Sequence, residues 1–283
     1  MLITGVTGFV GSELAGWLLD EGVPFRTGSR HPLETKEMLD SHLADSVYFD
    51  FEKDSTYEKT FSGVKRWFLT RPSNIGDVEP IVNAMKAAKE CGVERLVFLS
   101  VLGAERMGFL PHRRIEKAIM ELGFNYTILR ASHLMQDFLK YQILPMKEDH
   151  EINAPAGFAK ISFVDSRDVA EIAYLALRNS LTAKDVYKVT GKQALTMKEA
   201  AQLFSEELNT VITYSNPTKH QFLEYCYHRG YSSSLAKQLA NIYTSAKNGF
   251  FKTTSLDTEK LLQRQPRGMQ EFIQNYKPIF LDN

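Results

Sequence analysis

The chain has 283 residues, 43% of them hydrophobic and 24% charged, which is ordinary globular composition and excludes a disordered or collagen-like chain. Lysine and arginine together number 34, as do aspartate and glutamate, so the formal net charge is +0. Proteins whose main task is to grip nucleic acid phosphates are usually basic overall, so we expect no nucleic acid partner.

Cysteine and histidine usage excludes the common metal and disulfide frameworks. Cys91 and Cys226 are the two cysteines of the chain, and the seven histidines show no H-x-x-x-H pair. Neither a disulfide framework nor a four-cysteine zinc site is therefore available, and we predict no metal. This usage fits a reducing compartment.

The apolar runs of the sequence are too short for a membrane span. Charged residues such as Glu13 and Asp20 interrupt each run before it reaches the roughly 20 residues that a span requires. The first run leads directly into a glycine turn and lacks the charged start and long apolar core of a secretory signal. We therefore expect a cytoplasmic protein without a membrane partner.

The first half of the chain alternates short β-rich runs with helical patterns. The predicted strands are Leu2–Thr4, Phe25–Ser29, Val47–Asp50, Arg66–Thr70, Leu96–Ser100 and Asn125–Arg130. The predicted helices are Ser12–Glu21, Val78–Cys91 and one from Arg113 to about Gly123. Strict alternation of strand and helix implies parallel strands with right-handed crossovers. The predicted fold class is α/β, a Rossmann-type doubly wound parallel sheet with a smaller α/β C-terminal lobe.

The regular alternation of predicted strands and helices ends at about residue 131. The predicted helices there are Phe138–Pro145, Val169–Arg178, Met197–Leu208 and an aromatic stretch over Thr218–Gly249, and the predicted strands are Ile161–Val164, Val186–Val189 and Val211–Tyr214. We expect an NAD(P)-binding domain over residues 1–150, with returning elements around 161–191. Residues 192–283 would form the smaller substrate-side lobe, partly interleaved with that domain.

A glycine-rich loop lies between the first strand and the first helix. Glycine is needed where the chain turns tightly and where backbone must approach a pyrophosphate too closely for a Cβ. The helix that follows offers free N–H groups and the positive end of its dipole to phosphates. The loop predicts a dinucleotide site formed by Gly5, Thr7, Gly8, Phe9, Val10 and Gly11.

The end of the second strand indicates which dinucleotide binds. An NAD site places a carboxylate there for the ribose 2′-OH, whereas this chain has Ser29 and Arg30. The arginine fork can pair with a 2′-phosphate, and the serine adds a hydroxyl. We therefore predict NADP(H) in preference to NAD(H). Asp50 and Phe51, which close the third strand, could flank the adenine, although Phe51 fits the core equally well.

Short motifs follow one another in a recognisable order along nearly the whole chain. They are Gly5–Gly11, Arg30, Asp50-Phe51, Leu99-Ser100, His112 with Glu116, residues 126–130, residues 164–168 and Thr190-Gly191. Together they resemble the NmrA-like family of atypical short-chain dehydrogenase/reductases, above all its bacterial quinone reductase and triphenylmethane reductase members. The glycine spacing is shared by the whole superfamily, whereas the Tyr-Thr-Ile-Leu-Arg block after a His-x-x-x-Glu helix is much more specific.

The resemblance implies NADP(H) in the glycine loop with Arg30 at the 2′-phosphate. It also implies that Thr70, Arg71, Ser100 and Val101 line the cofactor. Many members carry Asn after the Leu-Arg pair, where this chain has Ala131. That departure changes the hydrogen bonding expected beside the cofactor.

The helix after the fifth strand lacks the Tyr-x-x-x-Lys pair that ordinary short-chain dehydrogenases use for proton transfer. His112 is the available proton carrier there, and Glu116 lies one helical turn further on, where it could orient the imidazole. The alternative is that His112 only positions the nicotinamide and that Glu116 only pairs with Arg113 or Arg130. The missing pair also disfavours an enzyme that resembles nucleoside-diphosphate-sugar epimerases.

Hydride transfer to an electron-poor ring needs little beyond alignment, because the cofactor supplies the chemistry. We therefore expect an NADPH-dependent oxidoreductase whose partner is a small, quinonoid or aromatic electron acceptor. The alternative is a regulator that senses NADP(H) without turnover, as the resemblance to NmrA-like proteins also allows. A homodimer or a protein partner stays open. The aromatic side chains of the lobe, among them Tyr243, Phe251 and Phe138, could wall a flat-ring pocket or simply form its core.

Overall fold

The computed structural model describes residues 1–72, 75–178, 180–181 and 184–281. The chain divides into two compact units. Unit 1 comprises Met1–Ala131 and Ser166–Val189, and unit 2 comprises Ser132–Asp165 and Thr190–Asn283. The division interleaves the units in sequence, and the first crossing falls after Ala131 instead of near residue 150, because residues 132–150 pack within unit 2.

A seven-stranded, fully parallel sheet forms the centre of unit 1. Its strands are β1 (Leu2–Thr4), β2 (Phe25–Ser29), β3 (Ala44–Tyr48), β4 (Arg66–Thr70), β5 (Arg95–Val101), β6 (Asn125–Ala131) and β8 (Asp185–Val189). The strand order is β3-β2-β1-β4-β5-β6-β8. The order reverses between β1 and β4, which creates the crevice where doubly wound sheets bind ligands. The α/β Rossmann-type prediction is confirmed.

Helices follow most of these strands. In unit 1 they are α1 (Phe9–Asp20), α2 (Pro32–Leu39), α3 (Tyr57–Phe61), α4 (Glu79–Glu90), α5 (Pro111–Glu121) and α7 (Ser166–Leu177). Helix α1 packs against α7, where the rings of Trp17 and Tyr174 stack with centroids 5.7 Å apart. The sequence pattern did not indicate α2 or α3, since both are short and carry few apolar residues at helical spacing.

The apolar faces of sheet and helices meet in a continuous core. Trp67, Phe61 and Phe98 are fully buried there. Phe51 also belongs to this core, with its ring stacked 6.4 Å from that of Trp67. Burying an aromatic side chain of this size stabilises the fold by about 1.5–3 kcal/mol. This packing holds the carboxyl ends of β1–β4 in place.

Unit 2 contains a small parallel sheet of β7 (Glu151–Ile152) and β9 (Thr213–Tyr214). A π-helix (Phe138–Gln142) runs into α6 (Ile143–Glu148), and the later helices are α8 (Met197–Leu208), α9 (Lys219–His228), α10 (Ser233–Ser245), α11 (Asp257–Leu262) and α12 (Met269–Leu281). Reciprocal capping boxes, built by Thr196 with Glu199 and by Thr218 with Gln221, define the starts of α8 and α9.

Two features of unit 2 differ from the sequence pattern. Residues 161–164, predicted as a strand, make only isolated bridges, because Ile161 pairs with Leu195 and Val164 with Leu134 on different neighbours. Helix α12 was not predicted, and its Phe280 packs edge-on against Phe204 of α8 and against Phe272. Within the described parts of the chain, no helix combines the length and the apolar character that crossing a bilayer demands.

Candidate functional site

A groove of about 700 Å³ opens at the carboxyl ends of the strands where the sheet order reverses. Its volume lies in the range of small-molecule and cofactor sites, about 300–1,000 Å³. Many of the residues predicted from sequence to bind the cofactor line it. They are Gly5, Thr7, Gly8, Ser29, Arg30, Asp50, Phe51 and Thr70.

The glycine loop forms the floor of this groove, and its shape depends on the absence of side chains. Gly5 has a φ of +77°, and a Cβ there would lie 2.1 Å from the Thr70 hydroxyl. A Cβ on Gly11 would lie 2.2 Å from the Gly5 carbonyl oxygen, which accepts a hydrogen bond of 3.0 Å from the Gly8 amide. Tight packing between loop, β4 and α1 thus requires both glycines.

Helix α1 presents its amino end to the groove. Gly8 precedes it in an extended conformation, and no side chain caps the helix. The first-turn amides of a helix have no intrahelical acceptor, and the helix dipole is positive at this end. Phe9, Val10 and Gly11 do not line the groove, and Val10 and Gly11 are buried in the first turn of α1. This end of the groove suits the pyrophosphate of a dinucleotide.

The opposite part of the groove lies at the end of β2. Arg30 is exposed there, and the Ser29 hydroxyl accepts a hydrogen bond of 3.0 Å from the His31 amide. Of the carboxylates that line the groove, Glu34 lies 3.7 Å from the His31 ring nitrogen, and Asp50 accepts a hydrogen bond from the Glu52 amide. The guanidinium of Arg30 is therefore available for a 2′-phosphate at the position where an NAD site carries an acid.

Sequence reasoning missed part of this lining. Met38, Thr35, Ile75 and Pro72 also face the groove. Thr35 and Met38 belong to the short helix α2, whose proline at its start was the available signal. Ile75 lies outside the helices and strands, and no periodic pattern could place it.

Ser100 and Glu116 belong to a buried ion-pair cluster away from the groove lining. One carboxylate oxygen of Glu116 accepts hydrogen bonds from the Ser100 hydroxyl at 2.6 Å and from Arg130 Nε at 2.9 Å. The other accepts from Arg130 Nη2 at 2.7 Å and from Arg113 Nη1 at 2.9 Å. Arg130 also pairs with Glu105 at 3.1 Å. This geometry favours the alternative that Glu116 serves as an ion-pair partner.

Burial acts to raise the pKa of Glu116, but the hydrogen bonds from Arg130, Ser100 and Arg113 outweigh it, so the pKa lies below its usual value. The carboxylate therefore stays ionised and has both oxygens fully occupied. The hydrogen bonds from Arg130, Ser100 and Arg113 leave Glu116 no free lone pair with which to orient His112. Val101 ends β5, pairs with Ala131 on β6 and lies outside the groove lining.

His112 lies in the first turn of α5 and stacks its ring on Phe98, with centroids 6.2 Å apart. Burial, reinforced by the nearby Arg71 cation and opposed by Glu116, lowers the pKa of His112 to about 4. The imidazole is thus neutral at physiological pH. Arg71 donates to the Ile75 carbonyl, and its buried Nε has no hydrogen-bond acceptor among the described residues. His112 can donate or accept a hydrogen bond, but it cannot store a proton near neutrality.

Unit 2 contains a small cavity of its own, about 10 Å³ in volume. It is lined by His133, Leu134, Asp137, Phe138, Gln142, Phe163, Met197 and Tyr243. Gln142 donates to the Tyr243 hydroxyl at 3.1 Å and to the Asn153 carbonyl at 3.0 Å. Burial, opposed by Lys140, raises the pKa of Asp137 to about 7, and burial lowers that of His133 to about 4.

The aromatic stretch of the lobe divides between core and cavity. Tyr243 and Phe138 line the cavity, whereas Phe222 packs edge-on against Tyr243 and Tyr227 is exposed. Phe251, the third ring named from sequence, packs edge-on against His133 and does not line the cavity. A Tyr-x-x-x-Lys spacing does occur within α10 and its end, at Tyr243 and Lys247. Burial and Asp137 raise the pKa of Tyr243, so this hydroxyl stays protonated.

Over the described ranges of the chain, no group of three or more His, Cys, Asp or Glu side chains could hold a metal ion. Cys226 is buried, and burial raises its pKa to about 11. A protonated thiol is a poor nucleophile, so Cys226 contributes packing.

The comparisons with known proteins agree on one family. The NmrA-like family model matches residues 1–273. The NAD(P)H azoreductase of Xenophilus azovorans is 26% identical over 284 residues, which cover 99% of this chain and 99% of that protein.

Two solved structures share the fold over nearly the full length. A crystal structure of the NADPH-dependent quinone oxidoreductase QOR2 from Escherichia coli, complexed with NADPH, has a TM-score of 0.87 at 23% identity and covers 98% of this chain and 99% of that one. NmrA, a negative transcriptional regulator crystallised in complex with NADP, has a TM-score of 0.79 at 17% identity, with 98% and 95% covered. At these identities the likeness concerns the fold.

Proposed function

Because the chain belongs to the NmrA-like family, we propose that it is an NADPH-dependent oxidoreductase that reduces a small quinonoid or aromatic acceptor. The groove of unit 1 is the observation that carries the proposal. The glycine loop and the amino end of α1 lie in one part of this groove, and Arg30 lies in another part. This arrangement matches the chemistry of a phosphorylated dinucleotide.

Different residues of the groove would bind different parts of the cofactor. The backbone amides after Gly8 would hold the pyrophosphate, and Arg30 with Ser29 would hold the 2′-phosphate. Asp50 and Phe51 would flank the adenine, with the Phe51 ring kept in place by the core. Bound NADPH supplies a hydride, and the protein contributes its position and surroundings.

The acceptor class rests on chemistry and on the relatives. The similar proteins include an azoreductase and a quinone oxidoreductase, both named for electron-poor acceptors. Such acceptors need no activated tyrosine, which fits the missing Tyr-x-x-x-Lys pair after β5. His112, neutral at physiological pH, would serve as a hydrogen-bonding group instead of a proton store.

A second function, sensing of NADP(H) without turnover, is favoured by a different observation. Glu116, one of the two side chains predicted to act in proton transfer, is saturated by its partners, and His112 is neutral. A site that binds a dinucleotide without proton-transfer groups suits a sensor. NmrA, whose structure is similar, is itself a regulator.

The two functions separate in one experiment. Purified protein is mixed with NADPH and a panel of quinones, azo dyes and triphenylmethane dyes, and loss of reduced nicotinamide is followed by absorbance. Oxidation that depends on the acceptor supports the reductase. Tight NADPH binding without oxidation by any acceptor would overturn it in favour of the sensor.

Cofactor preference is tested by Arg30→Ala. Loss of charge-assisted hydrogen bonds worth about 1.5–3 kcal/mol predicts roughly 10- to 100-fold weaker NADPH binding with little change for NADH, measured by calorimetric titration. Arg114→Ala is the matched control, because Arg114 is an exposed arginine of α5 outside the groove lining. Equal loss for both dinucleotides would contradict the assignment of Arg30 to the 2′-phosphate.

A further inference from the structure

Three lysines line a surface groove that belongs entirely to unit 2. The groove has a volume of about 440 Å³, and its lining includes Phe158, Lys160, Lys247, Gly249 and Lys252. That volume lies in the range of small-molecule sites, about 300–1,000 Å³. Among the described residues that line this groove, none is acidic. Because the whole chain has a formal net charge of +0, the groove is a local excess of positive charge.

Two of the lysine side chains lie against glycines. A Cβ on Gly157 would lie 3.2 Å from Lys247 Cε and 3.8 Å from its Nζ, so the Lys247 ammonium lies beside the segment that carries Phe158. Lys252 lies against Gly249 in a similar way, with its Cε 3.9 Å from the position of a Cβ there. The missing side chains leave room for both lysine stems. Both lysines are exposed, so a dissolved ligand can reach their charges.

The carboxylates near the groove leave most of this positive charge unpaired. Over the part of the chain that the structure describes, neither Lys247 nor Lys252 forms an ion pair. Lys160 lies 3.8 Å from Glu199, and both side chains are about half exposed. The Glu199 carboxylate already accepts hydrogen bonds from the Thr196 amide and hydroxyl at the start of α8. A long, exposed ion pair of this kind contributes little, so Lys160 also stays available to an anion.

Hydrogen bonds connect the two segments that form the groove. The Phe251 carbonyl accepts a hydrogen bond of 2.8 Å from the Ser162 amide and one of 3.0 Å from the Ser162 hydroxyl. The Phe251 ring is buried and packs edge-on against His133, with centroids 4.4 Å apart. These contacts hold residues 246–252 beside residues 158–162. The groove is thus formed before a ligand arrives, which lowers the entropy lost on binding.

Phe158 adds an aromatic surface to the cationic groove. Its side chain is 80% exposed. A ring that stacks on it would remove apolar area from water and add a favourable ring–ring contact. Lysine ammonium groups bind phosphate, sulfonate and carboxylate groups as point charges. A flat ring that carries two anionic groups matches both features, whereas an inorganic anion would leave the Phe158 ring uncovered.

We propose that this groove, the lysine groove of unit 2, binds a small aromatic molecule that carries at least two negative charges. The lysines would contact the anionic groups, and Phe158 would contact the ring. The site goes beyond the proposed reductase function and does not depend on it, because it involves no reaction step and no residue of the cofactor groove.

Three probes separate the contribution of charge from that of the ring. Naphthalene-1,5-disulfonate has both features, ethane-1,2-disulfonate has the two charges without a ring, and 1,5-dihydroxynaphthalene has the ring without the charges. Calorimetric titration of the full chain should show binding of the first probe and roughly tenfold weaker binding of the other two. Added salt should weaken the binding of naphthalene-1,5-disulfonate, because dissolved ions screen exposed charges.

Substitutions test which residues bind the probe. The double variant Lys247→Gln with Lys252→Gln should weaken naphthalene-1,5-disulfonate about tenfold, since each exposed ion pair contributes a factor of about two to five. Phe158→Ser should weaken the same probe about fivefold and leave the weaker binding of ethane-1,2-disulfonate unchanged. All three side chains are exposed, so the fold should be retained, which circular dichroism verifies.

Matched controls lie outside the lysine groove. Lys237→Gln replaces an exposed lysine of α10 in the same unit, and Phe109→Ser replaces a phenylalanine that is also 80% exposed. Both should bind naphthalene-1,5-disulfonate as the wild type does. Arg30→Ala should do so as well, because Arg30 lines the cofactor groove of unit 1 and not the lysine groove.

Several results would overturn the proposal. One is the absence of naphthalene-1,5-disulfonate binding, or binding that the double lysine variant does not weaken. Another is equally tight binding of ethane-1,2-disulfonate, which would mean that the groove recognises charge alone. A loss caused by Arg30→Ala and not by the lysine variants would place the probe in the cofactor groove. Attachment to phosphatidylglycerol vesicles without affinity for the disulfonate would identify a lipid surface as the ligand instead.

Discussion

Two carboxyl groups, one in each unit, are buried, but their pKa values shift in opposite directions. Glu116 of unit 1 accepts four hydrogen bonds, three of them from arginines, and its pKa lies below the usual value. Asp137 of unit 2 receives none from the described residues, and burial raises its pKa to about 7. Partners, and not burial alone, decide whether a carboxyl group holds its charge or its proton.

The contrast assigns the two groups different roles. A carboxylate saturated by arginines ties together the segments that supply its partners, here β5, α5 and β6. A carboxyl group without partners costs stability and has proton-transfer capacity near neutrality, which is typical of functional positions. The sequence left open whether Glu116 orients His112 or only pairs with arginines, and these contacts favour the second interpretation. Asp137, the carboxyl group whose pKa is raised to about 7, was not singled out from the sequence.

The largest expected loss of stability comes from a substitution that breaks the Glu116 cluster. Glu116→Ala leaves Arg130 partly unpaired in a buried position, so we expect a loss of about 3–5 kcal/mol in the free energy of unfolding, measured by urea denaturation. Because the pKa of Glu116 is lowered in the folded state, its contribution is complete above its ordinary value of 4.5 and is lost as pH falls through the folded-state pKa. A loss below about 1 kcal/mol at pH 7 would contradict this role.

The second expected effect is a gain in the free energy of unfolding. Asp137 binds its proton more tightly in the folded than in the unfolded chain, so between pH 3.8 and about 7 the wild-type free energy of unfolding falls as pH rises. Asp137→Asn removes this titration, and we expect it to exceed the wild type by about 1–4 kcal/mol at pH 8. Urea denaturation at several pH values measures the difference. Parallel curves for the two proteins would show an ordinary pKa for Asp137.

A third, smaller effect probes one partner of Glu116. Ser100→Ala removes the 2.6 Å hydrogen bond to the carboxylate and leaves both arginines in place. We expect a loss of about 1–2 kcal/mol, because hydrogen bonds to charged groups contribute roughly that amount. The same denaturation experiment measures it, and a loss equal to that of Glu116→Ala would mean that the serine supports more than one bond.

The smallest effect is the control for the cluster. Arg114 and Asp77 form an exposed ion pair at 3.7 Å, on the same helix α5 as Glu116. Arg114→Ala should change the free energy of unfolding by less than about 0.5 kcal/mol, because water and salt screen such pairs. A large loss in the free energy of unfolding would show that exposure does not explain why this pair should contribute less stability than the buried Glu116 cluster.

The sequence predicted most of unit 1. Strands β1, β2 and β4 have the expected bounds, because each is a short β-rich run that leads into a turn or loop. Gly5, Thr7 and Gly8 of the loop line the same groove as Ser29 and Arg30 at the end of β2, since parallel strands bring their carboxyl ends to one edge. Helix α12 was not predicted, although its buried residues Met269, Phe272 and Ile273 follow helical spacing. Residues 161–164 were predicted as a strand and make only isolated bridges, because their pairing partners come from tertiary packing.

What the sequence by itself determined is therefore the local chemistry: a glycine loop that only glycine can form, and an arginine where an acid would select NAD. The partners of Glu116 and the surroundings of Asp137 were decided by the tertiary structure. Arg130 reaches Glu116 because β6 lies beside β5, and Tyr243 shares a cavity with Asp137 across a long stretch of chain. A pKa depends on neighbours within a few ångströms, and those neighbours are set by packing between distant segments.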